Sequence, residues 1–513
     1  MQKLLKSLRW IDTHLLKILV IGFIFLIPLY PKLPVRMINY TYIAIRVEDF
    51  YMVLVGILFG IQFLRKKVTV PWNMFFLFLA YWIAVFASFI WGYYFQKTII
   101  IDHLGFLHSV RRIEYMLIFF VAYSTIRSRK DFFLYLKLIF SVLVIVSIYG
   151  FGQKFFGWPA VQTMNPEYAK GYILVLESWS RISSTFAGHY DLSGYLVLLM
   201  PILVGYYLYR GSKKYFFLFL ISLGALVLAG SRASYIAYIF SISVFLIFIR
   251  KFKLLVIILI ATAIFTPLSD NLANRLSRTF QQTKVFVDSE TGETFVARTL
   301  TPDDLPPGDF GSHSNLSNVS SGTPVIVDAK TEYAAKQNIR DTLVKNAEQS
   351  GKKYSTQEIN EAVDLVFLRQ IPIIKYLPDI SISTRLQVSW PRAFQAFTKN
   401  LLLGSGPSSL GEATDGDYLR WLGETGLLGT SIFLIILGSI MMSIKKHVSL
   451  MQKKHAYIFY GFLFGFIGLF INAGYIDLFE ASKLAYVFWL LAGIFYASSI
   501  YFVPKQKIES LKI

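Results

Sequence analysis

Runs of about twenty largely apolar residues recur from Leu15 almost to the C-terminus, and each is long enough to cross the ~30 Å hydrocarbon core of a bilayer as a helix. Lipid offers the backbone no hydrogen-bond partner, so a chain that enters it must be a set of helices or a closed barrel. Barrel strands alternate apolar and polar residues, and these runs do not. With 55% of its 513 residues apolar and 16% charged, the composition is also wrong for a water-soluble domain of this size. The sequence predicts an all-α polytopic membrane protein.

Twelve spans are expected, near 15–30, 48–64, 73–95, 113–126, 133–157, 191–209, 215–230, 233–249, 254–268, 427–444, 456–474 and 484–503. Starting inside, the inner connections are Arg65-Lys66-Lys67, Arg127–Lys130, Arg210–Lys214, Arg250–Lys253, Lys445–Lys454 and the Lys505–Lys507 tail. All six are basic, as the positive-inside rule demands. Both termini are then cytoplasmic. The N-terminus resembles a signal sequence but has no small-residue cleavage site, and is read as an uncleaved first helix. Tyr215–Ile249 would make one helix of about 52 Å, too long for a single crossing. Its break at Gly230-Ser231-Arg232 turns it into two short helices with Arg232 at the outer turn.

The formal net charge of +20 is a topology signal and not a nucleic-acid patch. Residues 269–426 hold 16 basic and 19 acidic residues, net −3, whereas the rest holds 35 and 12, net +23, mostly beside the apolar runs. Cysteine is absent, which removes disulfide and thiol chemistry. Three parts are expected: helices 1–9 over 1–268, a large extracytoplasmic loop over 269–426, and helices 10–12 with a tail over 427–513. Within the loop, 282–370 reads as an accessory insertion and 371–426 as the part bearing motifs. Residues 284–299 alternate around Thr291-Gly292 as a hairpin. Residues 300–327 have the composition of disorder. Residues 328–370 are helical, with a capping box at Ser355 and Glu358. Residues 385–400 form an amphipathic stretch suited to a membrane surface.

Chemistry is sought among basic residues that the topology rule does not want outside: Arg36, Arg46, Lys97, Arg111, Arg112, Arg181, Arg232 and Arg385. Arginine is always charged and grips phosphate oxygens in a planar fork, so such a set at a membrane face suits a diphosphate. The alternative is local pairing, of Arg46 with Glu48 or Asp49 and of Arg111 or Arg112 with Glu114. No acid neighbours Arg181, Arg232 or Arg385. His189 reads as an interfacial hydrogen-bonding residue or a glycan contact. Trp91, Trp158 and Trp179 suit an interface belt. Asp477, Glu480 and Lys483 are spaced to pair on one helical turn, and Gly404-Ser-Gly406-Pro reads as a turn.

Four segments, in order, resemble those of the O-antigen ligase and polymerase superfamily. Arg181-Ile-Ser-Ser-Thr-Phe through Tyr195-Leu resembles the entry to a middle helix, and Leu228-Ala-Gly-Ser-Arg232-Ala resembles the family's Ser-Arg turn. Arg385…Trp390 with Leu403-Gly-Ser-Gly406-Pro, then Asp417-Tyr-Leu…Gly423-Glu-Thr-Gly426-Leu-Leu-Gly429, resemble its loop block. The resemblance covers roughly 180–445. It implies transfer or polymerisation of polyprenyl-diphosphate-linked glycans at the outer face of a bacterial cytoplasmic membrane. Arg232 and Arg385 would neutralise the departing diphosphate, with Arg181, Arg111, Arg112 and His189 as further substrate contacts. The acceptor would be a glycan, lipid or protein, and neither cofactor nor metal is implied. Where ligases carry His-Asn, this chain has Asp415-Gly416, so the candidate general base is Asp415 or Asp417. The Asp415-Gly-Asp417 spacing also fits a metal-binding carboxylate pair. A transporter or flippase for lipid-linked sugars is the rival, and it requires charges and helix breaks near mid-membrane in repeated halves.

Overall fold

The computed structural model describes residues 2–37, 44–162, 173–177, 180–269, 272, 280–288, 294–296, 323–324, 329–349, 355–378, 382, 385–411 and 415–504. The chain forms two compact units, Met1–Arg275 with Trp390–Ile513, and Leu276–Ser389. The first is a helical, multi-pass membrane protein. Among the described residues, eight helices are long and apolar enough to cross a membrane, and Arg232–Phe248 and Phe252–Leu268 are shorter apolar helices.

The helices of this unit are α1 (Gln2–Leu29), α2 (Val47–Leu64), α3 (Trp72–Ile90), α4 (Asp102–Thr125), α5 (Arg129–Phe156), α6 (His189–Arg210), α7 (Lys213–Ala229), α8 (Arg232–Phe248) and α9 (Phe252–Phe265). Small antiparallel pairs, β1 (Pro34–Met37) with β2 (Ala44–Arg46) and β3 (Pro159–Ala160) with β4 (Leu174–Val175), sit in the connections. The outward faces of the peripheral helices are apolar. On α2, Phe50, Val53, Leu54, Ile57, Ile61 and Leu64 are exposed at helical spacing, while Met52, Val55 and Gln62 are buried. In water that stripe would be an aggregation surface; in lipid it is the solvated face. The break expected near Arg232 is present: α7 ends on the left-handed Gly230 (φ 62°) and Ser231 caps α8 by accepting from the Ser234 amide.

The second unit is built on β5 (Phe280–Asp288), β6 (Thr294–Val296) and β7 (Thr323–Pro324). It continues with α10 (Ala329–Gln349), α11 (Thr356–Leu368) and β8 (Gln370–Pro378). The expected hairpin is formed, with Val285 opposite Val296. The capping box is formed too: Ser355 Oγ accepts from the Glu358 amide, and Glu358 accepts from the Ser355 amide. Residues 297–322 and 325–328, most of the segment expected to be disordered, lie outside the described residues. One boundary differs from expectation. Residues 371–378, placed by sequence with the motif-bearing part, pair along the whole of β5 and belong to this unit. A strand satisfies its backbone only by pairing with another strand, and here the partners from Phe280↔Pro378 to Asp288↔Gln370 are too far apart in sequence for any local reading.

Returning to the first unit, α12 (Trp390–Lys399) precedes α13 (Asp417–Val448), α14 (Lys453–Ala473) and α15 (Ser482–Ser499). Gly426 inside α13 is non-helical (φ 61°, ψ −165°), so a short helix 417–425 is followed by a long apolar one, as the sequence implied. Helices α6, α14 and α15 are buried nearly all round and form the centre. Between α14 and α6 there is no space for side chains: a Cβ on Gly461 would lie 2.5 Å from the Pro201 carbonyl oxygen, and one on Gly465 2.4 Å from that of Leu198. Such a small-xxx-small pair lets two backbones touch where lipid supplies no hydrophobic drive. Substituting Gly465→Val therefore lowers the unfolding midpoint in detergent strongly, by about 2 kcal/mol or more of overpacking. Gly438→Ala, on α13 with nothing within 4 Å of the new methyl, leaves the midpoint unchanged or raises it.

Candidate functional site

The last turn of α14 gathers the sequence motifs. Asn472 Nδ2 donates to Ser234 Oγ (2.8 Å), which is itself 2.8 Å from Ser231 Oγ, so the Ser231-Arg232 turn is tied to this helix end. Tyr418 donates its hydroxyl to the Phe470 carbonyl, and Gly416 sits so close that a Cβ there would lie 3.1 Å from the Gly474 carbonyl oxygen. Gly416 adopts φ 102°, a conformation open to glycine, and that turn sets Asp415 and Asp417 on either side of it. Trp390 Nε1 holds the Asp415 carbonyl (3.1 Å). Arg232 and Asp415, 183 residues apart in sequence, thus stand at the same end of the bundle.

Arg181 joins them. The Ile182 amide donates to the Leu228 carbonyl (3.3 Å), which lays the 181–188 segment beside the α7–α8 turn. Buried Gln153 clamps that segment: Nε2 donates to the Ser184 carbonyl (2.8 Å), and Oε1 accepts from the Ser184 amide (2.7 Å). The Arg181 guanidinium lies 5.7 Å from the centre of the Tyr190 ring. His189 opens α6, is buried, and packs on Tyr190 with ring centres 4.0 Å apart. Arg385 is buried and opens a π-helical turn, Arg385–Ser389, in the other unit.

Beneath the motif lies a buried ion network. Arg112 pairs with Glu424 (2.5 Å) and Glu480 (3.1 Å), and Arg420 pairs with Asp477 (2.6 Å) and, more loosely, Glu424 (3.6 Å). Glu424 Oε1 also accepts from the Ser408 amide (3.3 Å). Asp417 is fully buried, and its Oδ2 accepts from the Leu478 (2.7 Å) and Phe479 (3.1 Å) amides, so this carboxylate holds the α14–α15 loop. Asp477, in that loop, is held well above the usual carboxylate range by burial. The negative charges of Asp415 and Glu480 add to the shift, and Arg420 opposes it.

Two local pairings inferred from sequence are corrected. Arg112 does not pair with Glu114, whose carboxylate accepts from the Tyr486 hydroxyl; Arg111, the other candidate, is attracted by Glu114 and reaches the Ala44 carbonyl (3.4 Å). Asp477, Glu480 and Lys483 do not share a helical turn: α15 begins only at Ser482. Asp477 and Glu480 serve Arg420 and Arg112. Lys483 donates to the Tyr30 (2.5 Å) and Thr185 (2.6 Å) carbonyls. The reason is desolvation, since at buried positions only partners brought by other helices offset the cost of a charge. Arg420 and Glu424 were missed as a pair although their i, i+4 spacing at the head of an apolar helix was legible. The ends of the network on α4 and the α14–α15 loop were not. Among the described residues, no three His, Asp or Glu side chains are arranged to hold a metal ion.

No model of a known protein family matches the chain, and no curated protein matches it. Geometry and residue chemistry therefore carry the functional reading. Replacing Arg112 by Met strips Glu424 and Glu480 of a buried counter-charge, and it lowers stability by about 3–5 kcal/mol. The Arg112→Met, Glu424→Gln double variant recovers part of that loss, measured as unfolding midpoints in one detergent.

Proposed function

We propose that the protein transfers or polymerises polyprenyl-diphosphate-linked glycans at the outer face of a bacterial cytoplasmic membrane, as an O-antigen ligase/polymerase-like glycosyltransferase. One observation carries this reading. The Arg232 turn, the Arg181 segment and the Asp415-Gly-Asp417 motif meet around the last turn of α14, where a lipid-borne diphosphate and its acceptor would sit side by side. Arg232 and Arg181 bind and neutralise the diphosphate; a glycosyl diphosphate is a good enough leaving group to need no metal. The Leu276–Ser389 unit, apart from Arg385 at its end, is accessory.

The base that takes the acceptor hydroxyl's proton is Asp415, working beside Asp477. Asp417 is already committed to two backbone amides and acts as a support. The two carboxylates feel each other's charge: that of Asp415 helps to hold Asp477 above the usual carboxylate range. The twelve-span threading, with both ends inside, puts this end of the bundle outside; it adds α4 and α7 to the eight long helices and the two shorter apolar ones.

Three outcomes follow. In proteoliposomes with a labelled lipid-linked repeat, Arg232→Lys and Asp415→Asn each cut turnover by about a hundredfold or more, and a chelator has no effect. Turnover rises with pH along an acidic limb, because the base works only when ionised. Normal turnover in Arg232→Lys would remove the diphosphate role. The chain has no native cysteine, so single cysteines report topology directly. At Lys97 and Glu177 they label with an impermeant thiol reagent in intact cells, and at Lys213 and Lys453 they do not.

A further inference from the structure

At the opposite end of the bundle from α14's last turn, where the Arg65-Lys66-Lys67 and Arg127–Lys130 connections lie, the helices enclose a polar cavity of about 370 Å³. It is walled by α1 (Asp12, His14, Lys17), by Gln62 of α2 with the following Lys67, and by Arg127 and Asp131 at the α4–α5 corner. We propose that this cavity binds the headgroup of an anionic glycerophospholipid bearing one phosphodiester and a free hydroxyl, of the phosphatidylglycerol type.

The acids of the cavity are already used. Asp12 accepts from Arg65 (2.5 and 3.0 Å), Lys67 and Gln62 Nε2 (2.9 Å). Asp131 pairs with Lys17 and accepts from Ser128 Oγ (2.8 Å) and the Arg127 amide (3.1 Å). Four cations, Lys17, Arg65, Lys67 and Arg127, therefore face two carboxylates, which leaves two positive charges uncompensated. Among the described residues no carboxylate pairs with the exposed Arg127 side chain. A single phosphodiester suits that excess, and a zwitterionic headgroup suits it less.

A second, independent observation gives the headgroup its hydroxyl. Gln62 is 3% exposed and lines the cavity; its Nε2 is spent on Asp12, while its Oε1 is buried with no hydrogen-bond partner. A buried acceptor without a donor costs about 1–3 kcal/mol, and a ligand hydroxyl reaching it recovers that. The source is a lipid because the rim is apolar and outward-facing. Trp10, Ile11 and Ile18 on α1, and Phe63 and Leu64 at the end of α2, are exposed where acyl chains would lie. Tryptophan is a usual residue at this membrane depth.

The test is native mass spectrometry of the purified full chain in detergent, titrated with phosphatidylglycerol, phosphatidylmethanol, phosphatidylcholine or sn-glycerol 3-phosphate. Phosphatidylglycerol is retained about fivefold more strongly than phosphatidylcholine, and more strongly than phosphatidylmethanol, which has the same charge but no hydroxyl. Arg127→Ala, an exposed change that leaves the melting point intact, cuts phosphatidylglycerol retention about fivefold and leaves phosphatidylcholine unchanged. Gln62→Met abolishes the preference over phosphatidylmethanol. Equal retention of phosphatidylcholine, or an Arg127→Ala variant that binds as the parent does, overturns the proposal. Displacement of phosphatidylglycerol by millimolar sn-glycerol 3-phosphate marks a site for soluble phosphate and overturns the lipid assignment. None of these readings depends on glycan transfer, so the two proposals stand or fall separately.

Discussion

The buried contact between Arg112 of α4 and Glu424 of α13 is the interaction on which the end of the bundle beside the last turn of α14 depends. Both side chains are almost completely shielded, so each charge exists there only because the other is present. Glu424 sits two residues before the break at Gly426, and its own carbonyl accepts from the Gly406 amide (3.0 Å) and from Ser88. The 401–406 loop is pressed against this kink: the Ser405 amide donates to the Gly423 carbonyl and the Leu427 amide to the Leu401 carbonyl (both 2.8 Å). A Cβ on Gly404 or Gly426 would meet that backbone at 2.7 and 2.4 Å. One ion pair thereby aligns α3, α4, the glycine loop and the short 417–425 helix that carries the acidic motif.

From that point the network runs outward. Arg112 also holds Glu480, and Arg420 holds Asp477, so the α14–α15 loop is bound to α13 from two sides, with Asp417 supplying a third attachment through its amide bonds. The loop in turn presents Lys483 to the carbonyls of Tyr30 and Thr185, which reaches α1 and the segment that follows Arg181. Charges that would be costly in isolation are arranged as a chain in which each member has a partner from another helix. The same economy of pairing leaves the other end of the bundle with a cationic surplus around an open cavity.

The contrast between the two ends follows from how each is closed. Beside the last turn of α14, carboxylates outnumber the cations of the network: Glu424, Asp477 and Glu480 face Arg112 and Arg420. At the other end, side chains of α1, α2 and the α4–α5 corner line a polar cavity, and the acids there are too few to neutralise the lysines and arginines. Between the two ends, glycines at the α6–α14 contact bring the two backbones into direct apposition.

Much of the architecture was legible without coordinates because hydropathy and helix length are local properties. The apolar runs, the break at Gly230-Ser231-Arg232, the hairpin near 284–299, the Ser355–Glu358 capping box and the division of α13 at Gly426 all follow from residues within a few positions of one another. The sequence also marked Arg232 as a charge out of place at its expected face, and Asp415 as standing where the resembling family carries His-Asn. It did not show that α14's last turn would bring them to one end, because nothing in Phe470–Gly474 announces two partners more than fifty residues away. Local spacing misassigned Arg112, Asp477, Glu480 and Lys483, since in a buried setting the partner is chosen by which helices pack and not by which residues are neighbours in the chain. The strand Gln370–Pro378 was missed for the same reason. Sequence alone determined that this chain is a helical membrane protein and where several of its helices break; tertiary structure decided which charges meet, because desolvation is set by packing.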